Sequence, residues 1–151
     1  MQIEDKKMSN KIKQDLCDAL GQFSLLWQRE LRPIIESEEV TPTEKRVLYG
    51  LFRLERANKQ TLADAVALQH SSISRALDRL EERGYISRTI SCNNKRFIDL
   101  CLTKSGQSKV EAIREKALVR FMDVSEIIQP DEIKKTITVV EVLVAKILEK
   151  K

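Results

Sequence analysis

Apolar residues along the first third of the chain recur at Ile12, Leu16, Leu20, Phe23, Trp27, Leu31 and Ile34, at intervals of three and four. That is the period of one helix face. The pattern predicts a long amphipathic helix from Asn10 to Ile34, which Pro33 should kink or end because its ring meets the carbonyl four residues back and it has no N–H. The acidic run Glu36-Ser-Glu-Glu39 reads as a solvated connection. At Thr41-Pro-Thr-Glu44 the residues are those of a helix start, with Thr41 as cap, Pro42 in the first turn and Glu44 closing a capping box. The helix that follows, to about Arg56, offers Val47, Leu48, Leu51, Phe52 and Leu54 to a core. Gly50 within it marks either a close helix approach or a tolerated glycine.

Two shorter helical segments come next, Thr61 to Leu68 with Thr61 as cap, and Ser71 to Arg83, which Gly84 should terminate. Ile73, Leu77 and Leu80 face one way in the second, and Ser72, Arg75 and Arg79 lie on another stripe. Tyr85 to Ile90 and Phe97 to Thr103 are rich in β-branched and aromatic residues and are joined by the polar Ser91 to Arg96, which predicts a β-hairpin. Helices resume from Lys104 to about Ile127 and, after Gln129-Pro130, from Asp131 to Glu149. The last carries Ile133, Ile137, Val140, Val144 and Ile147 at intervals of three and four. So much apolar surface at the chain end suits helix packing across a homodimer; the alternative is that the first and last helices fold back on their own domain.

The fold class is therefore mainly α with a small β-hairpin wing: a winged helix-turn-helix with terminal dimerisation helices. It reads as one integrated domain in three parts, residues 1–40 (first dimerisation helix and linker), 41–106 (DNA-binding lobe) and 107–151 (C-terminal dimerisation helices). The second helix of such a pair fits the DNA major groove, and a hairpin beside it reaches the backbone or minor groove.

Composition changes this picture little. The 151 residues carry 27 basic and 23 acidic side chains, net +4, which permits a nucleic-acid partner without requiring one. Location is more telling, since Ile86 to Ile98 holds Arg88, Lys95 and Arg96 and no acid. Duplex DNA is the expected partner. No apolar run is long enough to span a bilayer and the start lacks a signal-peptide core, so no membrane is expected and the chain is read as cytoplasmic. Cys17, Cys92 and Cys101 form no disulfide framework, and with His70 as the one histidine neither a metal nor a cofactor is expected. There is no phosphate-binding glycine loop and no nucleophile with its base, so an enzyme is not expected.

Residues 72–88 (Ser-Ile-Ser-Arg-Ala-Leu-Asp-Arg-Leu-Glu-Glu-Arg-Gly-Tyr-Ile-Ser-Arg), then Asn94-Lys95-Arg96, then Leu102-Thr103-Lys104-Ser105-Gly106, resemble the MarR (multiple antibiotic resistance regulator) family. The likeness covers about residues 43 to 107 and matches every spacing of the family's pattern. It departs at Asn94, where the family's wing tip has an Asp thought to orient the wing through neighbouring arginines. The resemblance implies a homodimeric transcription regulator, most often a repressor, on a pseudo-palindromic operator. It implies a DNA-binding helix presenting His70, Ser71, Ser72, Ser74, Arg75 and Arg79. The implied wing is Arg88, Asn93, Asn94, Lys95 and Arg96, with Arg96 at the position that enters the minor groove. Arg75 is equally a reader of bases or a phosphate ligand; Arg79 is read as structural or phosphate-bound; either could instead pair with Asp78 or Glu82. His70 is a turn residue, a DNA contact or a pH sensor.

Family members also respond to signals. Some bind small aromatic acids in a cleft that here would include Phe23, Trp27 and Tyr49, residues that could equally be plain core. One branch senses peroxide through a cysteine whose surroundings Leu16-Cys17-Asp-Ala-Leu20 resembles. Against that, the tyrosines expected downstream are missing and Asp18 favours the neutral thiol, so the default is an inert, half-buried Cys17. A winged-helix module that binds an acidic protein rather than DNA is the alternative function.

Overall fold

A computed structural model describes residues 2–90 and 98–149. They form α1 (Gln2–Ser37), α2 (Pro42–Leu54), β1 (Arg56–Ala57), α3 (Lys59–Ala65), α4 (His70–Glu82), β2 (Ile86–Ile90), β3 (Ile98–Leu102), α5 (Lys104–Ser125) and α6 (Pro130–Glu149). Among the described residues no helix is long and apolar enough to cross a membrane.

Pro33 does not end α1, which continues to Ser37. Leu31 and Ile35 on either side of it are buried in the core, and that anchorage outweighs the single hydrogen bond a proline removes. Nor is the segment after it merely solvated: Glu38 is held by Lys109 and Lys116 of α5. The α2 start is as expected, with Thr41 Oγ1 accepting from Glu44 N at 3.1 Å and Glu44 Oε2 accepting from Thr41 N at 2.7 Å. Leu54, expected in the core, stays at the surface.

The first helix of the helix-turn-helix starts earlier than expected. Asn58, not Thr61, is the cap, its Oδ1 accepting from Thr61 N at 2.9 Å. The backbone then turns at Ala67, whose φ is +50°. Arg46 of α2 holds this turn by donating to the carbonyls of Val66 and Ala67. Gly50 does mark a close approach, since a Cβ there would lie 2.4 Å from Val66 Cγ1 and 2.8 Å from Leu62 Cδ1. Beyond the turn, α4 buries Ile73, Ala76, Leu77 and Leu80.

The sheet has three antiparallel strands in the order β1-β3-β2. In the hairpin, Ile86 faces Leu102, Arg88 faces Leu100 and Ile90 faces Ile98; β1, absent from the sequence reading, pairs Arg56 with Cys101 and Ala57 with Leu100. Thr103 closes the lobe: its hydroxyl accepts from Gly106 N at the start of α5 and donates to Gly84 O at 2.6 Å.

The core joins α2, α3, α4 and the sheet to the end of α1 and the first half of α5, including Leu31, Ile35, Val110 and Ile113. It thus extends beyond residues 41–106 on both sides. α6 buries none of its residues, and Ile12, Leu16 and Phe23 of α1 are exposed as well. The first part of α1 and all of α6 are therefore left unburied by their own lobe.

Candidate nucleic-acid interface

α4 shows its apolar stripe to the core and the opposite stripe to water, which leaves His70, Ser71, Ser72, Arg75 and Arg79 exposed. Ser72, Arg75 and Arg79 line one side of a recess of about 280 Å³, and Thr41, Thr43 and Glu44 at the start of α2 line the other. Neither arginine makes an ion pair with a described residue, and the pairings with Asp78 or Glu82 do not form. Two guanidinium groups on a helix face, with Glu44 in the same recess but no carboxylate within ion-pair distance among the described residues, are suited to phosphate or guanine.

Two residues expected at the interface are engaged within the protein. The Ser74 hydroxyl donates to His70 O at 2.8 Å and accepts from Lys59 Nζ at 2.5 Å. Arg88 pairs with α4 instead of projecting freely: its Nη2 lies 2.7 Å from Asp78 Oδ1 and its Nε 2.9 Å from Glu81 Oε2. The expected wing contacts Asn93, Asn94, Lys95 and Arg96 lie outside the described residues.

The sequence reading did not single out Lys59, a cation at the start of α3 that reaches α4 and whose one described partner is a hydroxyl. Its position one residue after a helix-capping Asn was the available signal. Arg83 was also missed. It donates to Glu39 O at 2.7 Å and lies 4.9 Å from the centre of the Tyr85 ring, which ties the end of α4 to the α1–α2 connection.

The cleft between the lobe and the terminal helices is open, with a volume of about 880 Å³, and Phe23, Trp27 and Tyr49 all line it. Phe23 and Trp27 stack with centroids 6.0 Å apart, and Phe121 of α5 meets Trp27 edge-on at 5.6 Å. Lys45 shares this cleft, with its ammonium 5.4 Å from the centre of the Tyr49 ring. It has no acidic partner among the described residues, and burial first, then the neighbouring charge of Arg46, hold its pKa below the usual lysine range. Burial likewise raises the Tyr49 phenol, opposed by Arg114. Lys45, Arg114 and Phe121 were not legible as cleft residues, because only the packing of α1, α2 and α5 brings them together. Cys17 is exposed rather than half-buried, and Cys101 is partly buried in β3.

These features, a helix-turn-helix with an exposed cationic second helix and a hairpin directly after it, define a winged helix-turn-helix protein. Residues 40–98 match the model of the MarR family. The HTH-type transcriptional repressor MdtR of Bacillus subtilis (strain 168) is 27% identical over 119 residues, 77% of each protein. A crystal structure of a MarR family transcriptional regulator from Silicibacter pomeroyi superposes with a TM-score of 0.77 at 26% identity, covering 87% of this chain and 89% of that one. NadR in complex with 4-hydroxyphenylacetate shares the fold at a TM-score of 0.76 and 23% identity, over 88% of this chain and 92% of that one. The match over residues 40–98 and these likenesses make the chain similar to the MarR family of transcription regulators.

Proposed function

We propose that the chain is a homodimeric repressor that occupies a pseudo-palindromic operator and is released when an anionic aromatic molecule enters the cleft. The observation that carries the DNA-binding part is the pair Arg75 and Arg79 on the open face of α4, with no carboxylate within ion-pair distance among the described residues. Two copies joined through α1, α5 and α6 would offer two such helices to successive major grooves, about one helical turn apart. Support for the dimer is that α6 buries no residue within its own chain. Support for repression is the likeness to MdtR.

Effector control rests on Lys45: an ammonium beside Phe23, Trp27 and Tyr49, with no carboxylate partner among the described residues, suits an aromatic carboxylate. The likeness to NadR agrees in chemistry, since 4-hydroxyphenylacetate is such an acid. Cys17, exposed on α1, supports oxidation as the other signal.

Selection of bound fragments from genomic DNA, with and without aromatic acids or peroxide, tests both parts together. The expected result is a palindromic sequence lost on addition of one class of signal. Within that operator, Arg96→Ala should weaken binding severalfold and flatten the dependence on salt by about 0.9 in log–log slope per contact. Recovery of no DNA, with co-purification of a protein, would favour the protein-interaction module.

A further inference from the structure

We propose that Asp78 and Glu81 of α4 are positioning residues for the wing: through Arg88 they set the angle at which the hairpin stands beside the recognition helix. The inference rests on the DNA-binding reading above. The core-facing side of the sheet is anchored at its base by Ile86 and Leu100, each 3% exposed. Arg88 is directly opposite Leu100, one step further along the hairpin on the same face. Beyond it apolar anchorage ends, since Ile90 is 69% and Ile98 53% exposed. Arg88 is therefore the last residue of β2 that holds the hairpin to a helix.

The contact is suited to fixing an angle. Two different nitrogens of one planar guanidinium meet two different carboxylates, Nη2 to Asp78 and Nε to Glu81. Those carboxylates are three residues apart on one helix and so lie side by side. A fork held at two points constrains the orientation of the plane as well as its distance, which a lysine ammonium cannot do. On the other face of the sheet, Asp99 approaches Arg56 at the longer distance of 3.6 Å. The hairpin stem is thus braced on both sides, more tightly on the side of α4.

The sign of the charge makes the inference testable. Asp78 and Glu81 sit on the helix that approaches DNA, where carboxylates repel phosphate. If they did nothing else, removing them would tighten binding. If they position the wing, removing them weakens it. Exposed ion pairs add little to global stability, so the variants should fold.

The experiment is operator binding by the full chain across a salt series, followed by fluorescence anisotropy. It compares Asp78→Asn/Glu81→Gln, Arg88→Lys and Arg88→Met, with thermal melting to confirm folding. The double variant should bind about fivefold more weakly although it has lost two negative charges. Arg88→Lys should lose as much as Arg88→Met, and both should keep the wild-type salt slope, because Arg88 touches no phosphate. Hydroxyl-radical footprints should lose protection at the outer flanks of the operator, while guanine protection under α4 persists. A double variant that binds as tightly as the wild type or more tightly would overturn the inference. So would an Arg88→Lys protein with full affinity beside an Arg88→Met protein of reduced slope, the signature of a phosphate ligand. A wild-type chain that binds no fragment would instead overturn the DNA-binding reading.

Discussion

Lys109 of α5 grips Glu38 at the end of α1 twice, its Nζ donating to the carboxylate at 2.9 Å and to the backbone carbonyl at 3.3 Å. Lys116 takes the other carboxylate oxygen. Hydrogen bonds from Lys116 and then Lys109 hold the Glu38 pKa below the usual range, and the bond to Glu38 raises that of Lys109. A carboxyl lowered by folding adds stability that is fully present above the unfolded value, about 4.3, and is lost as pH falls through the folded value. A raised lysine adds stability that is present below about 10.4 and is lost as pH rises through its folded value. Glu38→Gln should therefore lower the melting midpoint near pH 7 by about 2–4 °C, at equal protein concentration. The difference from wild type should shrink as pH falls below the unfolded value of about 4.3 and vanish only once pH passes below the lowered folded value. A constant difference down to pH 2 would mean that the carboxylate charge is not involved.

Gly106 and Gly84 make opposite demands. A Cβ on Gly106 would lie 2.0 Å from Tyr85 O, and backbone cannot step aside as a side-chain tip can. At Gly84 nothing lies within 4 Å, but φ is +72°. Gly106→Ala should cost about 2–3 kcal/mol by forcing apart β2 and α5, whereas Gly84→Ala should cost about 1 kcal/mol for its backbone conformation alone. Urea denaturation of both variants checks the ranking.

Lys45→Met should weaken binding of an aromatic carboxylate by about tenfold or more, the expected loss of one charge-assisted hydrogen bond. The neutral amide of the same acid should bind both proteins alike. Because Lys45 attracts the carboxylate as the ammonium and not as the neutral amine, and its pKa is lowered, affinity should begin to fall before pH reaches the ordinary lysine value of about 10.4. Calorimetric titration at several pH values tests this; equal affinity for the acid in wild type and variant would remove Lys45 from the site.

What could be read before the structure was local. The capping box at Thr41 and Glu44, the apolar stripe of α4 and the alternating hairpin strands each lie within a few residues and obey a period. β1 escaped because two residues carry no period, and the α3 cap because Asn58 and Thr61 are both capping types three residues apart. The Arg88 ion pairs and the exposure of Lys45 to the cleft depend on how elements meet, so their residues were visible but their roles were not. Arg88 is instructive in this respect. Its place in an acid-free stretch suggested a DNA ligand, whereas its neutralising acids stand ten and seven residues earlier on α4.

The dimer prediction follows from α6. Ile137, Val140, Val144 and Ile147 recur at three and four along it, yet Val140 and Val144 are each 36% exposed. An apolar seam of this length left in water would favour association. If a second copy covers it, Val140→Asp/Val144→Asp places two charges in an apolar interface, a penalty of several kcal/mol. The variant should sediment as a monomer at concentrations where wild type is a dimer. Operator affinity should then fall by about hundredfold or more, because the second half-site loses its tethered partner. Val140 also lines the cleft and Val144 a pocket shared with Lys45 and Tyr49, so Ile147→Asp, at an exposed position of the same seam, distinguishes the two roles: it should weaken the dimer while leaving aromatic-acid binding per chain unchanged. An intact dimer in the double variant would place the interface elsewhere, on α1 and α5.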